Sequence, residues 1–140
     1  MSSVFGRFCL VLLLAAAIAY PVGASAQTKA PPPEKSIPRY LVYFDEFSAY
    51  LTPESKRKIA LVAKQAKAEG AKSITVQARA SATGTAQTNK YLAMTRASIV
   101  ADELEADGIP SAMVQQEPIG QTGSSDPSVF NRRVDIILHP

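Results

Sequence analysis

One cysteine and one histidine are all that this 140-residue sequence offers for thiol chemistry, metal binding and proton transfer at neutral pH. The cysteine, Cys9, opens an apolar run near the N-terminus, whereas an acylated lipobox cysteine would follow such a run. If the run is lost with an export signal, the remaining chain has no thiol. That excludes disulfides, thiolate metal sites and a cysteine nucleophile together. The histidine, His139, is one residue from the C-terminus, where a frayed polar tail is expected. There is no H-E-x-x-H, no G-x-S-x-G and no cluster with metal-ligand spacing. The loop "GQTGSS" lacks the lysine and following helix of a P-loop, and nothing marks Asp45-Glu46 or Glu103 and Glu105 as an acid and base pair. These absences argue against an enzyme and imply no cofactor.

A long apolar run is also missing. The stretch Phe8 to Tyr20 covers about 13 residues, whereas a membrane-spanning helix needs roughly 20. With Arg7 before it and "PVGASA" after it, ending in the A-x-A site Ala24-Ser25-Ala26, it reads as a signal peptide over residues 1–26. No transmembrane segment is then expected in the exported protein. Loss of Arg7 lowers the formal net charge of +3 by one, so the balance is only mildly basic. The basic residues concentrate at Lys56, Arg57, Lys58, Lys64 and Lys67, on what reads as the wet side of a helix. No aromatics are interleaved for base stacking, and a nucleic-acid partner is not expected.

Residues 27–39, "QTKAPPPEKSIPR", hold four prolines and little to bury. Such a segment favours polyproline II and acts as a spacer with a reach of about 40 Å. No internal repeat is visible, and residues 40–140 read as one domain. "YLVYF" (Tyr40 to Phe44) is a first strand. Thr52 caps a helix with Pro53 and Glu54 in its first turn, Ile59, Val62, Ala63 and Ala66 on its apolar face, and Gly70 at its stop. "SITVQARAS" alternates, with Ile74, Val76, Ala78 and Ala80 on one face and Thr75, Gln77, Arg79 and Ser81 on the other. A long helix is expected from about Ala86 to Asp107, with Ala93, Ala97, Val100, Ala101 and Leu104 as its core stripe. A third strand is expected around Ala112 to Glu117, with Pro118 suiting only its end or an edge. A loop over Gly120 to Ser128 follows, and "RVDIIL" is a last strand. The order β-α-β-α-β-β describes an α+β two-layer sandwich, two helices packed on a mixed sheet.

Inside the second helix, Asn89 and Arg96 are seven residues apart. They share nearly one azimuth, about 700° of turn and roughly 10.5 Å of rise. That line borders the apolar stripe, so Arg96 is expected to be partly buried. Spacing alone leaves it open to offer its planar fork to a carboxylate, to join an intramolecular salt bridge, or to snorkel along the helix.

The ordered set Phe44-Asp45, Leu51-Thr52-Pro53-Glu54, Gly84, Asn89, Leu92, Arg96-Ala97, Val100, Leu104 and Asn131-Arg132-Arg133-Val134-Asp135-Ile136 resembles the OmpA-like peptidoglycan-binding domain. That family carries F-D after its first strand, L-T-P-E, G-H-T-D-x-x-G, N-x-x-L-S-x-x-R-A-x-x-V-x-x-x-L and N-R-R-V-D/E-I. The resemblance spans residues 40–138. It implies a ligand, the meso-diaminopimelate of the peptidoglycan stem peptide, whose free carboxylate would be taken by Arg96. Binding residues implied with it are Asn89, Asp45, Ser81, Asn131 and Arg132.

The chain departs from the pattern where the ligand ammonium would sit. Ser81 replaces the family aspartate, with Arg79 and Ala80 in place of histidine and threonine. A hydroxyl accepts a hydrogen bond from an ammonium without neutralising it, and Arg79 nearby would repel it. Ala93 replaces the serine of L-S, and Pro118 to Gln121 replace G-x-G-E. Asp45 is then the best remaining carboxylate, unless it serves only the turn.

The resemblance implies a periplasmic wall-binding module, associated with the cell wall or outer membrane. The alternative is a degenerate domain serving protein partners in the cell envelope. On the processing expectation, mass spectrometry of the exported protein should find Gln27 as its first residue. A species still carrying Met1 to Ala26 would contradict it.

Overall fold

The computed structural model describes residues 37–122 and 129–140. The expected signal peptide, nearly all of the spacer and most of the expected Gly120–Ser128 loop lie outside those residues. The elements are β1 (Arg39–Tyr43), α1 (Pro53–Glu69), β2 (Ser73–Ala80), α2 (Ala86–Ala106), β3 (Val114–Gln121) and β4 (Arg133–His139). Short 3-10 turns stand at Ser111–Met113 and Val129–Asn131. The strands form one four-stranded mixed sheet in the order β1-β4-β2-β3. β4 runs antiparallel to β1 and β2, while β2 and β3 are parallel and joined through α2, the long crossover that a parallel pair requires. This is the α+β arrangement of two helices on a mixed sheet.

Local chemistry explains the elements. Thr52 Oγ1 accepts from Ser55 N–H at 3.1 Å, Pro53 opens α1 where its missing donor costs nothing, and Gly70 closes it at φ +64°. Ile59, Val62, Ala63 and Ala66 of α1 meet Ala93, Ala97, Val100 and Leu104 of α2 over the sheet residues Val42, Ile74, Val76, Ala78, Val134, Ile136 and Leu138. The third strand differs from expectation. Ser111–Met113 is a 3-10 turn, and β3 continues through Pro118 to Gln121. Pro118 is tolerated because β3 is an edge, and a register shift follows it: Ala78 pairs with Pro118 and Arg79 with Gly120, so Ile119 has no partner on β2. Nor is His139 frayed. It ends β4 with its Nε2 2.9 Å from Thr75 Oγ1, and its carbonyl accepts from Lys72 N–H at 2.8 Å.

The face of β4 turned from the helices carries Asp135, fully buried beneath side chains of the sheet. Arg133 Nε donates to its Oδ1 at 2.8 Å, while Arg39 Nη1 and Arg79 Nε stand 3.6 and 3.7 Å from Oδ2. The strand register puts Arg79 next to Arg133, because Ala78 pairs with Val134. Two guanidiniums on neighbouring strands are held together by the carboxylate between them. Asp135→Asn keeps the shape and removes the charge. It should cost about 2 kcal/mol, less than for a wholly buried pair because Arg39 is half exposed, and lower Tm by about 8 °C or more. An unchanged Tm in differential scanning calorimetry would show that the arginines need no counterion.

Candidate carboxylate-binding site

The site is built on the buried side of α2. Asn89, Ala93, Arg96, Ala97 and Val100 are all buried there, so Arg96 lies inside the apolar stripe rather than at its border. It is the largest side chain that the described fold buries completely. Burial is possible because the protein supplies hydrogen-bond acceptors from two other segments. Nε donates to Ser48 O at 2.8 Å, Nη2 to Asp45 O at 2.9 Å and Nη1 to Arg79 O at 3.1 Å. The guanidinium carbon also lies 5.1 Å from the centre of the Phe44 ring, a favourable cation–π distance. One side chain thus ties α2 to the turn after β1 and to the end of β2.

Hydrogen bonds to carbonyls satisfy donors without cancelling charge. Among the described residues no carboxylate pairs with Arg96. Its pKa is lowered from 12.5 to about 10, first by burial and second by the positive charge of Arg132. It therefore stays cationic at neutral pH. Three of its five N–H groups are committed to the backbone, which leaves two. At this end of the sheet Arg96 therefore holds a buried positive charge that no carboxylate among the described residues cancels.

The other expected residues are distributed as follows. Arg132 is half-buried, and its Nε donates to Phe44 O at 3.3 Å while Phe44 N–H donates to Arg132 O at 2.9 Å. This stitches the start of β4 to the end of β1. Asn131, buried, precedes it in the 3-10 turn. Ser81 is buried just past the end of β2, two residues beyond the carbonyl that Arg96 holds. Asn89 is buried in the first turns of α2, and its Nδ2 has no hydrogen-bond partner among the described residues. Asp45 contributes its carbonyl to Arg96 and to the turn N–H of Ser48, while the residue itself is exposed.

Two features escape the sequence. The acceptors of Arg96 are main-chain atoms of Asp45, Ser48 and Arg79, which no side-chain pattern encodes. Arg79 itself points away from Arg96: its Nη2 donates to Gln77 Oε1 at 2.8 Å and its Nε approaches Asp135 on the outer face of the sheet. Strand alternation sets Arg79 on the face opposite Ala78 and Ala80, as observed, but does not show that Gln77 and Asp135 engage its guanidinium.

The family model of OmpA matches residues 43–132. The chain belongs to the OmpA family. As a fold, this OmpA-family domain is similar to the peptidoglycan-associated lipoprotein from Burkholderia pseudomallei, with a TM-score of 0.63 at 23% identity over 71% of this chain and 89% of that one. It is similar to the OmpA-like domain of FopA1 from Francisella tularensis subsp. tularensis, with 0.63 at 24% identity over 73% and 72%. The periplasmic domain of MotB from Helicobacter pylori gives 0.60 at 20% identity over 69% of each chain. Curated protein sequences give no match.

The geometry makes Arg96 structural whatever else it does. Arg96→Ala should cost at least about 3 kcal/mol, because it leaves a cavity and strands three carbonyl acceptors. Arg96→Lys should cost less, since one ammonium can serve some of the acceptors but cannot span all three. Urea unfolding checks both, and an Arg96→Ala midpoint equal to that of the parent would contradict the clamp.

Proposed function

We propose that this OmpA-family domain is an exported, non-enzymatic module of the cell envelope that holds peptidoglycan non-covalently through the diaminopimelate of the stem peptide. The observation that carries the reading is the buried Arg96 cation, beside Arg132 and without a carboxylate partner among the described residues. A guanidinium already fixed and desolvated by the protein favours a carboxylate, because little reorganisation remains on binding. The unpartnered Asn89 Nδ2 adds a donor on the same helix. Wall binding fits the family, and it fits the fold shared with the peptidoglycan-associated lipoprotein. The resulting location is the periplasm, reached through the signal peptide and set at a distance from any attachment by the proline-rich spacer.

A second reading, a degenerate domain that binds an envelope protein, is favoured by one residue. Ser81 offers the ligand ammonium a hydroxyl where the family pattern has a carboxylate. The exposed Asp45 offers a carboxylate in the turn after β1.

Retention of the exported protein on purified sacculi tests the first reading directly, and Ser81→Asp separates the two. A carboxylate at position 81 should strengthen binding of a diaminopimelate-containing tripeptide by about 1 kcal/mol, or roughly fivefold, with a gain that shrinks as salt is added. Arg79 needs no accompanying change, because its guanidinium is engaged by Gln77 and Asp135. Isothermal calorimetry measures the gain. A folded Ser81→Asp protein with no detectable affinity for the tripeptide would favour the protein-interaction reading.

A further inference from the structure

The bend after β1 contains a residue poorly suited to it. Ser48 N–H donates to Asp45 O at 3.2 Å, closing a four-residue turn whose third residue, Phe47, has φ +53°. Among the described residues Phe47 is the only non-glycine with positive φ. A turn position of this kind normally takes glycine or asparagine, and a bulky side chain there is strained. Core packing gives no reason for the choice, since Phe47 is 61% exposed.

The turn that carries the ring is nevertheless held. Arg96 grips the carbonyls on both sides of Phe47, those of Asp45 and Ser48, so the turn cannot relax by opening. Outside the turn the ring packs toward Gly84, where a Cβ would lie 3.8 Å from Phe47 Cε1. Gly84 belongs to the loop that starts at Ser81 and adopts φ +91°, which glycine tolerates freely. A strained turn held by Arg96 therefore presents an exposed aromatic ring beside the loop at Gly84. Strain of this sort persists where the surroundings impose it, and it concentrates at ligand contacts.

We infer that Phe47 is a glycan contact: its open face stacks on the C–H face of an amino-sugar ring in the peptidoglycan strand that bears the stem peptide. This rests on the wall-binding reading above. On that reading the charged part of the ligand is matched by Arg96 inside the site. Phe47 lies at the surface outside it, where the neutral glycan would pass, and a rigid aromatic face gives large contact area for little lost side-chain entropy.

Calorimetry of the full exported protein with two probes tests this. One is a disaccharide carrying the diaminopimelate-containing tripeptide, and the other is the free tripeptide. The parent should prefer the disaccharide-bearing probe, and Phe47→Gly should reduce that preference roughly three- to tenfold. Phe47→Gly should also melt no lower than the parent and a few °C above Phe47→Ala, because only glycine accepts the turn conformation without strain. An undiminished preference in Phe47→Gly, or a Tm well below the parent, would overturn the inference and make Phe47 a packing residue. Equal affinity of the parent for both probes would overturn it too, leaving the wall-binding reading in place. A parent that binds neither probe would overturn both.

Discussion

A buried guanidinium that donates to three main-chain carbonyls and meets no carboxylate among the described residues is the constraint around which this end of the domain is arranged. The carbonyls belong to the β1–α1 turn and to the last turnings of β2, so the position of both loops follows from one side chain on α2. The same bonds hold the charge away from water. Charge that is hydrogen-bonded but not neutralised by any described residue is a standing electrostatic asymmetry. Stability at this end of the domain is thereby carried by a single residue, whose committed N–H groups order both loops.

The other side of the sheet solves the opposite problem. Asp135 is a buried anion with more cations than it needs, drawn from β1, β2 and β4. Because the three arginines are only partly buried, their surplus charge stays hydrated and costs little. One layer of strands thus separates an ion with several counter-charges from one that has none among the described residues.

The fold was legible because its signals are local. Thr52-Pro53-Glu54, Gly70 and the alternation through Ile74, Val76, Ala78 and Ala80 each specify an element without reference to anything distant. β3 was legible only in its first half. Pro118 reads as a stop, whereas the edge position and the register shift that accommodate it are properties of the assembled sheet. At the site, the motif spacing singled out Arg96, but its depth was misjudged. An arginine on a helix implies a hydrated head unless the acceptors that replace water are known, and here they are carbonyls 17 to 51 residues away in sequence. Phe47 carried no signal at all, since a positive φ at phenylalanine is imposed by the turn and not by its neighbours in the chain.

The irregular edge of β3 bears on how such domains behave when many are gathered on one surface. Molecules held side by side on a polymer meet at local concentrations far above those in solution, and an open strand is then a template for the next copy. Pro118 removes a donor from that strand, and the bulge at Ile119 breaks its repeat. Two neighbours cannot lay down a continuous ladder across such an edge, so this side of the sheet resists strand-to-strand association even when copies are crowded.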